Sequence, residues 1–138
     1  MGRRTILLLS AMATMILVAA GAALAVTFTE GNDTCTGTNG NDQFAMGGGD
    51  DFCHALGGND EVFGDHGNDT LFGDAGADIL YGETGDDDLF GGSGADFIDS
   101  VDNVGGNDSI NCGDGIDQAV KDAGDFSTGC DGNVTVVF

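Results

Sequence analysis

The sequence has no proline, no tryptophan, one tyrosine and only three basic side chains among 138 residues. Arg3, Arg4 and Lys121 stand against 24 acids, for a net charge of −21. Such a chain repels polyanions and anionic membranes, so no nucleic-acid partner is expected. Catalytic motifs are also missing. No His-Glu-x-x-His occurs, and the only Lys follows Val120, where it cannot serve a phosphate-binding loop. Gly91-Gly92-Ser93-Gly94-Ala95 ends in alanine where a G-x-S-x-G elbow needs glycine. No stretch satisfies the strict EF-hand loop. The expectation is a protein without catalysis. Apolar surface is too scarce to offset the ordering of 26 glycines, so without counter-ions the chain is expected to be disordered.

What the chain does have is a period of nine. From Phe28 it reads FTEGNDTCT, GTNGNDQFA, MGGGDDFCH, ALGGNDEVF, GDHGNDTLF, GDAGADILY, GETGDDDLF and GGSGADFID. Ser100, Val101 and Asp102 interrupt, and NVGGNDSIN and CGDGIDQAV resume. All ten units have glycine fourth: Gly31, Gly40, Gly49, Gly58, Gly67, Gly76, Gly85, Gly94, Gly106 and Gly115. All ten have aspartate sixth: Asp33, Asp42, Asp51, Asp60, Asp69, Asp78, Asp87, Asp96, Asp108 and Asp117. The eighth residue is always apolar: Cys35, Phe44, Cys53, Val62, Leu71, Leu80, Leu89, Ile98, Ile110 and Ala119. Six turn-forming residues followed by a three-residue strand, with its middle side chain turned to one face, is the local reading.

This pattern resembles the RTX (hemolysin-type) calcium-binding nonapeptide G-G-x-G-x-D-x-U-x. The first glycine is kept in five units (Gly37, Gly64, Gly73, Gly82, Gly91) and replaced by Phe28, Met46, Ala55, Asn103 and Cys112 in the others. The resemblance implies an all-β fold, a parallel β-roll (β-solenoid) of about ten nonapeptide repeats. Unit n stacks on unit n+2, over residues 26–120, with a short C-terminal cap at 121–138. It implies Ca²⁺ bound between successive turns by the ten sixth-position aspartates and by backbone carbonyls, those of Gly64, Gly73, Gly82 and Gly91 above all. Counting the n/n+2 pairings gives roughly six to eight ions of this oxygen-ligand type. Asp122, Asp125 and Asp131, beyond the clean repeat, read as solvated turn residues. His54 and His66 read as surface residues. Phe63, Phe72, Tyr81 and Phe90 share the ninth position and should stack outside, two per face, either as packing or as a patch for an extracellular partner.

The N-terminus carries Arg3 and Arg4, an apolar run from Ile6 to about Ala20, and Ala23-Leu24-Ala25. This is the three-part pattern of a secretory signal peptide, residues 1–25, cut after Ala25. An uncleaved membrane anchor is the alternative, because the run nearly spans a bilayer. Four cysteines in an exported chain point to disulfides. In the implied roll, Cys35 and Cys53 lie 18 residues apart as vertical neighbours, and Cys112 and Cys130 share a position if the frame continues. The expected bridges are therefore Cys35–Cys53 and Cys112–Cys130. The function expected is a secreted calcium-binding module that folds on binding Ca²⁺. The alternatives are an extracellular adhesion or structural protein, or the accessory calcium-binding domain of a secreted enzyme.

Overall fold

The computed structural model describes residues 25–102 and 107–138. The apolar run and most of the leader (residues 1–24) lie outside the described residues, as do Asn103 and Gly106. The fold is all-β, a parallel solenoid of about six coils. Its strands are β1 (Ala25–Thr27), β2 (Thr34–Thr36), β3 (Gln43–Ala45), β4 (Phe52–His54), β5 (Glu61–Phe63), β6 (Thr70–Ala75), β7 (Ile79–Tyr81), β8 (Asp88–Gly94), β9 (Phe97–Asp99), β10 (Ser109–Gly115), β11 (Gln118–Asp122), β12 (Phe126–Thr128) and β13 (Val134–Val137). Every x-U-x triplet of the ten units is a strand. The frame also runs one strand further at the N-terminal end, where β1 begins on the last residue of the expected leader.

Odd strands form one sheet, in the order β1-β3-β5-β7-β9-β11-β13, and even strands the other, β12-β10-β8-β6-β4-β2. All pairings are parallel, and Cys35↔Cys53, Val62↔Leu80 and Leu71↔Leu89 show the 18-residue register. The insertion at 100–102 is absorbed in a turn. It lengthens the offset across it to Leu89↔Ile110 and Ile98↔Ala119, leaving the ladders in phase. Alternation in the strands turns each eighth-position side chain inward. Cys35, Phe44, Cys53, Val62, Leu71, Leu80, Leu89, Ile98, Ile110 and Ala119 are at most 1% exposed. Met46, Ala55 and Cys112, from first positions, join this core.

Both expected bridges are present, with Cα separations of 4.5 Å for Cys35–Cys53 and 5.0 Å for Cys112–Cys130, within disulfide range. The positional argument for Cys130 needs one correction. Only five residues separate β11's Val120 from Phe126, one fewer than in a regular turn. Strand β12 therefore pairs at an offset of 17, Ile110↔Ser127, and Cys130 falls one residue past the place equivalent to Cys112. The segment read as a cap continues the roll, with β12 on one sheet and β13 on the other.

The fourth glycine is fixed by its neighbour one coil back. Gly76 has φ of 146°, and a Cβ there would land on the carbonyl of Gly58. Gly67, Gly85, Gly94 and Gly115 repeat this contact with the glycine of the preceding coil. Gly76→Ala should therefore cost about 3 kcal/mol or more, strain and displaced backbone together. Ala77→Gly, one residue on and exposed, should cost below about 1 kcal/mol. Denaturant titration in saturating CaCl₂ measures both, and equal losses would remove the steric explanation.

Candidate metal centre

The sixth-position aspartates precede each strand and end inside the turns. All ten are buried, at most 4% exposed. Their Oδ1 atoms tie the coils together. The N–H of Asp51 donates to Asp69 (2.8 Å), that of Asp60 to Asp78 (2.8 Å), that of Asp69 to Asp87 (2.8 Å) and that of Asp78 to Asp96 (2.9 Å). Asp33→Asp51, Asp42→Asp60, Asp87→Asp108 and Asp96→Asp117 complete the two ladders. In Asp51, Asp60, Asp69, Asp78, Asp87, Asp96, Asp108 and Asp117 the second oxygen, Oδ2, is buried with no hydrogen-bond partner. A buried carboxylate oxygen left so is costly, and eight in phase call for a common partner.

The first glycines provide room beside these oxygens. A Cβ on Gly73 would lie 2.6 Å from Asp78 Oδ2 and 2.7 Å from the carbonyl oxygen of Gly91. A Cβ on Gly64 would meet Asp69 Oδ2 and the Gly82 carbonyl, and one on Gly91 would meet Asp96 Oδ2 (2.6 Å) and the Cys112 carbonyl. Gly82 opens onto Asp87 Oδ2 at 2.5 Å. Four units thus keep an open cradle beside an unpartnered carboxylate oxygen, faced in three of them by a carbonyl from the next coil. These oxygen donors fit a hard cation such as Ca²⁺. The carbonyls of Gly82 and Gly91 face the spaces left at Gly64 and Gly73. Met46 and Ala55, fully buried at the same register position, fill that space beside Asp51 and Asp60. Among the described residues no three His, Cys, Asp or Glu side chains converge, so each cradle relies on one carboxylate and the main chain.

Asp33 and Asp42 differ. Thr29 donates to Asp33 Oδ2 from its N–H (2.8 Å) and its hydroxyl (2.7 Å). Thr38 does the same for Asp42 Oδ2, at 2.6 and 2.9 Å. These threonines occupy an unconstrained x or glycine position of the motif, and nothing in the period marks them.

Other residues behave unlike their sequence reading. Asp125 is 7% exposed, not solvated. Its Oδ1 accepts the Asp108 N–H (3.3 Å), and its Oδ2 accepts the Asp122 N–H (2.7 Å) and the Ser100 hydroxyl (2.9 Å). It is an eleventh rung of the ladder, concealed by the one-residue deletion before β12. Asp122 is also buried, and only Asp131 is exposed as expected. Phe63 stacks on Tyr81 (4.9 Å) and Phe72 on Phe90 (4.6 Å), two per face. His54 extends the second stack, 4.3 Å from Phe72 and nearly parallel, and its Nδ1 lies 2.8 Å from Asp74 Oδ2. The fifth position carries a ladder of its own. Oδ1 of Asn32, Asn41, Asp50, Asn59 and Asn68 each accepts a backbone N–H 18 residues ahead, at 2.9–3.1 Å.

Burial raises the carboxyl groups above their ordinary 3.8. Asp51, Asp60 and Asp87 rise to about 6, and Asp69, Asp78 and Asp108 to about 7. Asp96 moves the same way. Desolvation is the largest cause. The donated backbone N–H opposes it, and neighbouring carboxylates add to it. Between pH 4 and 7 the metal-free fold therefore holds more protons than the unfolded chain, so its stability falls as pH rises through that window. In EDTA the folded fraction, read by circular dichroism, should rise when pH is lowered from 7.5 to 5. In excess CaCl₂ stability should instead fall as pH is lowered, because protons then compete with the ion. A folded fraction flat with pH in EDTA would contradict the burial argument. Separately, Gly73→Ala should remove one bound ion, counted by native mass spectrometry, and retain the others.

The family model for the RTX calcium-binding nonapeptide repeat (4 copies) matches residues 29–62 and 63–98. The chain belongs to this family, and it is a calcium-binding repeat protein. No curated protein and no solved structure matches it.

Proposed function

We propose that the chain is a secreted, non-catalytic module that folds as it takes up Ca²⁺. The observation that carries this reading is the row of buried Oδ2 atoms without partners from Asp51 to Asp117. At neutral pH these carboxylates repel one another across a strand spacing of about 4.8 Å, and the thin core offers little to hold them. A bound Ca²⁺ supplies the missing positive charge and takes oxygen ligands. Asp69, Asp78, Asp87 and Asp96 hold it, with the carbonyls of Gly82, Gly91 and Cys112. This makes four cradles, three of them with a facing carbonyl, fewer than the six to eight obtained by counting every pairing. The coupling of folding to metal follows because no cradle exists in the extended chain.

The signal-like N-terminus, the two bridges and the acidity all suit a calcium-rich, oxidising exterior. There, sites of roughly 10⁻⁴–10⁻³ M are filled. Among the described residues no helix is long and apolar enough to cross a membrane. Far-ultraviolet circular dichroism of the oxidised chain, titrated with CaCl₂ after EDTA beside a MgCl₂ series, tests the reading. A cooperative rise in β-structure with Ca²⁺ alone is expected. A full β-spectrum in EDTA that Ca²⁺ leaves unchanged would overturn it.

A further inference from the structure

The first two turns are built differently from those that follow. Leu56, Asp65, Asp74 and Glu83 take the second position of their units with φ of 67–77°. Thr29 and Thr38, in the same position, lie outside that left-handed range, which a β-branched residue enters only at high cost. The fourth glycines follow suit. Gly49, Gly58, Gly67, Gly76, Gly85, Gly94 and Gly115 have φ of 109–155°, and Gly31 and Gly40 do not share it. In this second turn form the threonine N–H and hydroxyl both reach the Oδ2 atom that is otherwise without a partner. Cys35–Cys53 then ties β2 to β4 beside these turns.

Resting on the calcium reading above, we propose that Thr29 and Thr38 close the first coil against calcium. Their hydroxyls do within the protein what an ion does in the later units. The first coil is complete without metal, and ion binding starts in the units after it. The two turns are not equivalent beneath the threonine. Gly37 leaves a cradle, with Asp42 Oδ2 at 2.9 Å from a Cβ position and the Ala55 carbonyl beside it. In the first unit Phe28 occupies the corresponding place and packs on the core, 6.4 Å from Phe44 between ring centres.

This difference supplies the test. Thr38→Gly lets the turn adopt the left-handed form and removes the Thr38 bonds to Asp42 Oδ2 over an existing cradle. Native mass spectrometry of the calcium-saturated, oxidised chain should count one more ion than in the wild type. Thr29→Gly should add none, because Phe28 fills the space, and Thr38→Ser, which keeps the hydroxyl, should add none. Hydrogen exchange in excess CaCl₂ provides a second readout. The residue-38 amide, which donates to Asp42 Oδ2, should be protected in the wild type and lose protection at least tenfold in Thr38→Gly. An unchanged ion count in Thr38→Gly, or an unprotected Thr38 amide in the calcium-loaded wild type, would overturn the proposal. A wild-type chain that holds no Ca²⁺ would overturn the calcium reading instead.

Discussion

A carboxylate with one oxygen bonded and the other unpartnered is the constraint on which this molecule turns. Oδ1 is fixed by the backbone of the coil before, which fixes the direction of Oδ2. Because the aspartate is placed by a main-chain hydrogen bond, its geometry is repeated wherever the backbone repeats. The same hydrogen bond that stabilises the ionised carboxylate also holds it out of water, where ionisation is costly. Folding thus creates a charge deficit at regular intervals, and the deficit sets what the protein needs from solution.

The solenoid meets this constraint with few large side chains. Its core is one residue wide on each sheet, so the hydrophobic contribution per coil is small and each coil depends on its neighbours. Hydrogen-bond ladders at the fifth and sixth positions run in opposite senses. Fifth-position oxygens accept from the coil ahead and sixth-position oxygens from the coil behind. The turns that contain Asp50, Asn59, Asn68, Ala77 and Asp86 are therefore held from both sides by side chains as well as by strand pairing. The bridges sit near the two ends of the stack, where one of these neighbours is missing.

Much of this was legible in the sequence because the period itself is a geometric statement. A repeat of nine with a three-residue strand specifies which side chains meet at 18, and that places the aspartate ladders, the core ladders, the aromatic stacks and Cys35–Cys53. Less legible were features that depend on turn conformation. Thr29 and Thr38 occupy a variable position, and only the backbone form shows that their hydroxyls reach the aspartates. Asp125 was hidden because a single deletion shifts the frame, although its burial and hydrogen bonds match those of the other rungs. Met46 and Ala55 broke the motif visibly, but that they join the core instead of loosening the turn follows from the inward direction of their side chains.

The alternation of strands between two sheets has a consequence for how such a chain can change length. Adding or deleting 18 residues inserts or removes a whole coil and leaves every later side chain in its ladder. A change of nine transfers all later strands to the opposite sheet, so that Cys53 would take the place of Phe44, beside Val26 instead of Cys35, if the unit between them were lost. The insertion at 100–102 shows the third possibility, extra chain taken up within a turn, with Ser100 buried, while Leu89 still meets Ile110. Variation in the length of this molecule is thus quantised in coils, with turns as the only places where single residues can be gained.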